Sequence, residues 1–278
     1  MEYLMTYGWA ILIIAVVLSV LFQLGVFSSG NFQPHAQAGS CQVSKTVAGV
    51  SLEGQCNGLL PQYVGQFNGQ SSDITVPNNN NQDITGALTV SVWVYVKSTA
   101  NGYDGIVAKT TDYGSATTGY VIRTVQNQND LQVWVGNGVA GTYPEIPITL
   151  NTWHSIIYTY ASGSGGTAYV DGAAEGTLAN IGAIDPTANT LYIGGNYGNS
   201  QYLDGMVADV QIYNTSLSST EVESLYLEGI GGAPVRPQNI TAWYPLNSNA
   251  NDYSGNNNNG QLNSVQFSSS WENGYTAP

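Results

Sequence analysis

Positive charge is what this 278-residue chain has least of. Five Lys+Arg stand against 18 Asp+Glu, for a formal net charge of −13, and charged residues of both signs make up only 8%. The five cations, Lys45, Lys97, Lys109, Arg123 and Arg236, are scattered. Phosphate backbones are held by clustered Lys and Arg, so this composition excludes nucleic acid as a partner. Carboxylate is too sparse for a halophile surface. Lys and Glu are too few, and Asn too frequent, for a cytosolic hyperthermophile. Cysteine is almost missing: Cys41 and Cys56 are the only two. With His35 as the nearest histidine and no second Cys pair, the spacing does not point to a structural zinc site. What remains is a surface of Asn, Thr, Ser, Gln and Tyr, solvated by neutral hydrogen-bonding groups. Such a surface suits a protein outside the cell.

One long apolar run breaks this pattern. From Trp9 to Phe27 there is no charge, and Ser19 and Gln23 are the only polar side chains. The run is long enough to cross a bilayer core as a helix. No Lys or Arg precedes it and no A-x-A-like site ends it, so it reads as a retained helix and not as a secretory signal peptide. Residues 1–30 are therefore read as an apolar stalk, 31–57 as a linker carrying the Cys pair, and 58–278 as one head. Residues 28–40 (SSGNFQPHAQAGS) have linker composition. Outside the cell, Cys41 and Cys56 are read as a disulfide; closing so short a loop contributes roughly 3 kcal/mol in the chain-entropy model. Two unpaired thiols are the other reading. The sequons Asn214-Thr-Ser and Asn239-Ile-Thr permit N-glycosylation.

Strand signals dominate the head. Thr89–Val96 alternates strictly, with Val90, Val92, Val94 and Val96 on one face and Trp93 and Tyr95 on the other. Tyr120–Val125 and Asp130–Gly136 read as a hairpin, and Trp153–Tyr160 as a further strand. Thr167–Val170 runs into the turn dipeptide Asp171-Gly172. Thr190–Gly194 and Tyr202–Tyr213 complete a series that predicts an antiparallel β-sandwich. Ser218-Ser-Thr-Glu221 is a capping box, and Val222, Leu225 and Tyr226 follow at helical spacing, predicting a helix over 219–228.

Eight motifs occur in order: Phe67-Asn-Gly, Ile74-Thr-Val-Pro77, Val90-Ser-Val-Trp93, Trp153-His154, Tyr169-Val-Asp-Gly172, Leu191-Tyr-Ile-Gly194, Gly205-Met-Val-Ala-Asp-Val-Gln-Ile-Tyr213 and Leu217-Ser-x-x-Glu-Val. Together they resemble the laminin G-like, concanavalin A-like jelly-roll domains over most of 62–230. The family's usual first strand and loop resemble Trp243-Tyr-Pro-Leu-Asn247 with Asp252-Tyr-Ser-Gly255, which here stand near the C-terminus. The resemblance thus implies a circularly permuted jelly roll, with 240–278 supplying the family's first strand. It also implies a structural calcium held by Asn68, Asp209 and Asp252; the alternative is that Asp252 and Asn68 only cap turns.

The string Glu2-Tyr-Leu-Met-Thr-Tyr-Gly-Trp-Ala-Ile-Leu is similar to the N-terminus of archaeal type IV pilin-like proteins. That resemblance implies residence in the membrane, then in a cell-surface filament built of copies of this chain. Glu2 would pair with a neighbouring subunit's N-terminal amine during assembly.

Catalysis finds little support in the residues. No G-x-S-x-G or E-x-D-x-x-E string occurs, His154 reads as structural, and Glu221, Glu223 and Glu228 read as a solvated helix face. Tyr103, Tyr113, Tyr143 and Tyr197 fall in expected loops and could stack on sugars; packing is the commoner use of tyrosine. The pilin resemblance makes the expected function a structural subunit of an archaeal type IV pilin-like cell-surface filament displaying an adhesive head; the alternative is a solitary membrane-anchored adhesin or lectin that binds glycan.

Overall fold

The computed structural model describes residues 60–111, 118–195 and 201–278, and the backbone of two further strands, β1 (Gln42–Thr46) and β2 (Gly49–Glu53). The apolar stalk, Glu2, Cys41, Cys56, Tyr113 and Tyr197 lie outside the described residues. Among those described, no helix is long and apolar enough to cross a membrane. β1 and β2 form an antiparallel hairpin in which Gln42 faces Glu53.

The head is the expected sandwich, built from two eight-stranded antiparallel sheets; strands are numbered in chain order. The first sheet contains β3 (Val64–Asn68), β5 (Ala87–Ser98), β11 (Trp153–Ala161), β12 (Gly165–Val170) and β13 (Ala173–Leu178). It also contains β15 (Asp204–Tyr213), β16 (Ile240–Tyr244) and β18 (Gln266–Ser268). Its order is β13-β12-β11-β5-β15-β3-β18, with β16 also paired to β15. The second sheet contains β4 (Asp73–Val76), β6 (Gly105–Lys109), β7 (Tyr120–Thr124) and β8 (Asp130–Gly136). β9 (Gly141–Thr142), β10 (Glu145–Pro147), β14 (Leu191–Ile193) and β17 (Gln261–Asn263) complete it. Its order is β10-β8-β7-β6-β14-β4-β17, with β9 on β8.

Alternation along β5 decides what lies between the sheets. Val90, Val92, Val94 and Val96 enter the main core with Ile122, Val133, Ile156 and Val207. Trp93 and Tyr95 emerge on the opposite face and pack with Trp153, Met206 and Trp271. The period-2 pattern of a strand therefore supplies two hydrophobic layers at once. Tyr120, Tyr158, Tyr160, Tyr213 and Tyr244 are all buried, so much of the abundant tyrosine is indeed packing.

The C-terminal segment closes the head upon itself. β15 has β5 on one side. On its other side β3 pairs with Asp204–Val207 and β16 with Val210–Tyr213, sharing one edge end to end. Asp209 sits at the break with φ +48°, where the register against β5 also shifts. Such a bulge lets two strands meet on one edge. β17 and β18 then add a strand to each sheet, and Trp271 is inserted with 1% exposure. The Trp271 indole N–H donates to Pro61 O at 3.1 Å, and Trp153 Nε1 donates to Trp271 O at 2.8 Å. Residues 240–278 thus pair within their own chain.

One helix, α1 (Ser219–Leu227), lies on the outer face of the first sheet. Ser218 accepts from the Glu221 N–H, and the Glu221 side chain accepts from the Ser218 N–H, as the capping box predicts. Val222 and Leu225 pack on Tyr213, Ile240 and Trp243. Gly229, at φ +76°, follows the last turn. In the second sheet the buried Lys109 ammonium bonds Asp83 (3.1 Å), Asn78 Oδ1 (2.5 Å), Thr187 O (2.7 Å) and Asn189 O (2.8 Å). Burial pushes its pKa down while Asp83 opposes that shift.

Candidate functional site

Asn68, Asp209 and Asp252 do not form one ligand set. Asn68 Oδ1 accepts from the N–H groups of Gln70 and Ser71 at 2.9 Å and Ser72 at 3.2 Å, so it caps the turn after β3. Asn68 faces Asp204 in the sheet register, five residues before Asp209, or about 16 Å along an extended strand. Asp209 and Asp252 are brought to the same residue instead. Asp209 Oδ1 accepts from Trp243 Nε1 at 2.7 Å and its Oδ2 from Gln211 Nε2 at 2.8 Å. Asp252 Oδ1 accepts from the N–H groups of Trp243 and Ser254, and Oδ2 from that of Asn258. Every carboxylate oxygen is thus taken by an N–H donor of the chain, and these donors do not fit a shared calcium. Burial pushes the Asp209 carboxyl up to about 8, against the pull of its hydrogen bonds from Trp243 and Gln211. No group of three His, Cys, Asp or Glu suited to a metal occurs among the described residues.

His154 is held on both sides. Its Nδ1 lies 2.7 Å from Asp171 Oδ2, and Thr149 N–H donates to Nε2 at 3.0 Å. Asp171 Oδ1 accepts from Ser155 N–H at 2.8 Å. The dyad ties β11 to the β12–β13 turn. His154 is thus held by a named partner on each ring nitrogen.

That turn forms one wall of a groove of about 560 Å³. Tyr169, Asp171, Gly172 and Ala174 line it from the hairpin; Ser219, Thr220, Glu223 and Tyr226 line it from α1. Asp171 and Gly172 both have positive φ, at 50° and 79°, as a two-residue hairpin turn of this hand requires. A Cβ on Gly172 would lie 2.8 Å from the Tyr226 ring, so only glycine lets that ring lie across the turn. Tyr226 in turn stacks on Trp93, with centroids 6.0 Å apart and planes 21° apart. Tyr275 meets Trp93 edge-on at 5.5 Å and continues to Trp271. The groove thus has an aromatic floor backed by a rigid cluster, and hydroxyls and a carboxylate along its lip. Glu223 is exposed and has no hydrogen-bond or ion-pair partner among the described residues. Glu221 is spent on the cap and on Arg236. Glu228 departs from the expected solvated face: its Oε2 is buried without a partner, and burial raises its pKa.

A second aromatic surface occupies the outer face of the other sheet. The Arg123 guanidinium lies 4.7 Å from the Tyr103 ring and 4.9 Å from that of Trp134, which is 5.9 Å from Tyr143. Its Nε and Nη2 also donate to Gln132 Oε1. Tyr103 and Tyr143, expected in loops, are 37% and 58% exposed. Next to Tyr103, Asp104 is fully buried and neither carboxylate oxygen has a partner. Burial, with a smaller push from Asp204, raises it to about 6.

The groove was not foreseen in the sequence. The Asp-Gly turn and the capping box were legible, but nothing local says that they face one another.

Comparison with known proteins bears on the fold. The laminin G family model described as Concanavalin A-like lectin/glucanases superfamily matches residues 68–223. No curated protein matches the chain in sequence. A solved structure of a candidate carbohydrate binding protein from Bacteroides ovatus superposes with a TM-score of 0.58 at 15% identity, covering 84% of this chain and 70% of that one. Domains LG4-5 of the mouse laminin α1 chain also match, at a TM-score of 0.42 and 16% identity, over 60% of this chain and 47% of that one. With the family model spanning more than half of its length, the chain belongs to the concanavalin A-like lectin/glucanase superfamily through a laminin G domain.

Proposed function

We propose that the head is a glycan-binding module displayed outside the cell on an apolar N-terminal anchor. The observation that carries this reading is the groove between α1 and the β12–β13 turn. The C–H face of a pyranose packs on an aromatic ring, and its hydroxyls seek carboxylate and hydroxyl partners. Tyr226 supplies the ring, with the buried Tyr169 beneath the groove wall; Glu223, Ser219 and Thr220 supply the polar groups. The groove lining contains no Lys or Arg, and the chain carries a net charge of −13. The ligand class is accordingly a neutral oligosaccharide, because sialylated or sulfated chains would be repelled. The Bacteroides ovatus likeness supports the fold on which such a site is built.

The groove offers no catalytic pair. Asp171 is committed to His154 and Ser155, leaving Glu223 as its free carboxylate. We read the protein as a binder and not as an enzyme. A glycan array probed with the full chain in detergent tests this. Binding to a subset of neutral glycans, lost in Tyr226→Ala, is expected. Binding only to sialylated glycans, or full retention in Tyr226→Ala, would overturn it.

A second reading rests on the stalk: the same head displayed along a type IV pilin-like filament of archaeal kind, with Glu2 pairing to a neighbour's amine. The string at residues 2–12 favours it. Val16→Asp would then abolish filaments seen by electron microscopy of shed surface material, while the head still binds glycan. In the solitary-anchor reading no filament exists to lose.

A further inference from the structure

The two sequons, 25 residues apart in sequence, meet in space. Asn239 Nδ2 donates to Asn214 Oδ1 at 3.1 Å, and Asn214 N–H donates to Asn239 O at 3.0 Å. The two asparagines are not chemically equivalent. The atom that takes a glycan is Nδ2, and one of the two N–H groups on that of Asn239 is already donating to Asn214. Asn214 is exposed, and its Nδ2 has no partner among the described residues. The third sequon residues differ as well. Thr241 is 4% exposed within β16, and its hydroxyl donates to Ile212 O at 3.0 Å. Ser216 is half-buried in the irregular segment between β15 and α1. That segment keeps its shape through Thr89, whose hydroxyl donates to Thr215 O at 2.7 Å and accepts from Leu217 N–H at 3.0 Å.

From this juxtaposition we propose that the folded head has a single N-glycan acceptor, Asn214, and that Asn239 is a closed sequon. The inference rests on the proposed placement outside the cell, where a lipid-linked oligosaccharide is the glycosyl donor. In the transfer the bond from sugar C1 to the lipid (di)phosphate oxygen breaks and a bond from C1 to Asn214 Nδ2 forms. The lipid phosphate leaves with the bonding electron pair, and one amide proton passes to the transferase's base. A glycan there occupies the end of β15 that lies beside Thr89. The opposite end of that strand, about 30 Å away, adjoins the loop carrying Tyr103.

The test uses the purified full chain in detergent and an oligosaccharyltransferase selected because it modifies both isolated peptides, 209–219 and 234–244. Because donor and enzyme are supplied, the result is independent of where the protein resides in the cell. Glycopeptide mass spectrometry is expected to find Asn214 modified and Asn239 bare in the folded chain. Asn239→Gln should leave the extent of modification at Asn214 unchanged. Modification of Asn239 in the folded wild-type chain, or a bare Asn214 beside a modified peptide control, would overturn the proposal.

Discussion

The two sheets expose aromatic residues in opposite ways. On the first sheet Tyr226 rests on Trp93 and is backed by Tyr275 and Trp271, and its ring borders an open groove with an unpaired Glu223 at the lip. On the second sheet the aromatic stack is locked by a cation, Arg123, whose guanidinium is spent on Gln132 and two rings. Both surfaces are rich in tyrosine, yet only the groove combines concavity with a polar group left to give. Aromatic content alone does not mark a sugar site. The state of the polar groups around the rings separates a site from a brace.

The comparison breaks most severely at Trp271. Trp271→Ala removes a fully buried ring and its hydrogen bond, at about 3–5 kcal/mol. Because Trp271 backs the aromatic cluster, glycan binding should fall along with the denaturant midpoint. Trp134→Ala in the stack should destabilise the head yet leave affinity in the surviving folded fraction unchanged.

Asp104 sharpens the contrast through pH. Its carboxyl stands at about 6 in the folded head against an ordinary value of 3.8, so between those values the folded state binds the proton more tightly. Stability from this group is therefore present at low pH and lost as pH rises through about 6, by roughly 3 kcal/mol at 1.36 kcal/mol per unit. Asp104→Asn should raise stability at pH 7 by about that much and flatten the slope between pH 4 and 6, as read by urea unfolding. Glycan affinity should not move, since Asp104 neighbours the stack and not the groove. An altered affinity would undo the distinction between the two faces.

Two smaller changes act on the groove itself. Gly172→Ala places a methyl at 2.8 Å from the Tyr226 ring at a residue with positive φ, at about 1–3 kcal/mol. Displacement of Tyr226 should weaken glycan binding at least tenfold by calorimetric titration. Ser218→Ala removes the helix cap at the groove's lip, about 1 kcal/mol, and should loosen binding only slightly.

Much of this fold was legible residue by residue. The alternation of β5, the Asp171-Gly172 turn and the Ser218–Glu221 box are local signals, and each specifies its own element. That 240–278 supplies a strand of the sandwich was legible through the family resemblance; its pairing with β15 comes from the structure. The groove was not, because Tyr169 and Tyr226 come from a hairpin and a helix that only tertiary packing apposes. Nor was the role of Asp209: a carboxylate on a strand looks like a ligand until Trp243 and Gln211 are seen to occupy it. The meeting of Asn214 with Asn239 was hidden for the same reason. Each sequon is visible alone, and their contact depends on the packing of β16 against β15.

The central claim is that ligand is taken by the groove and not by the stack. Hydrogen–deuterium exchange of the full chain with and without a neutral glycan from the array reads this directly. Binding is predicted to slow exchange in residues 169–174 and 219–227 and to leave 99–104 and 132–145 unchanged. Protection confined to 99–104 and 132–145 would contradict the account.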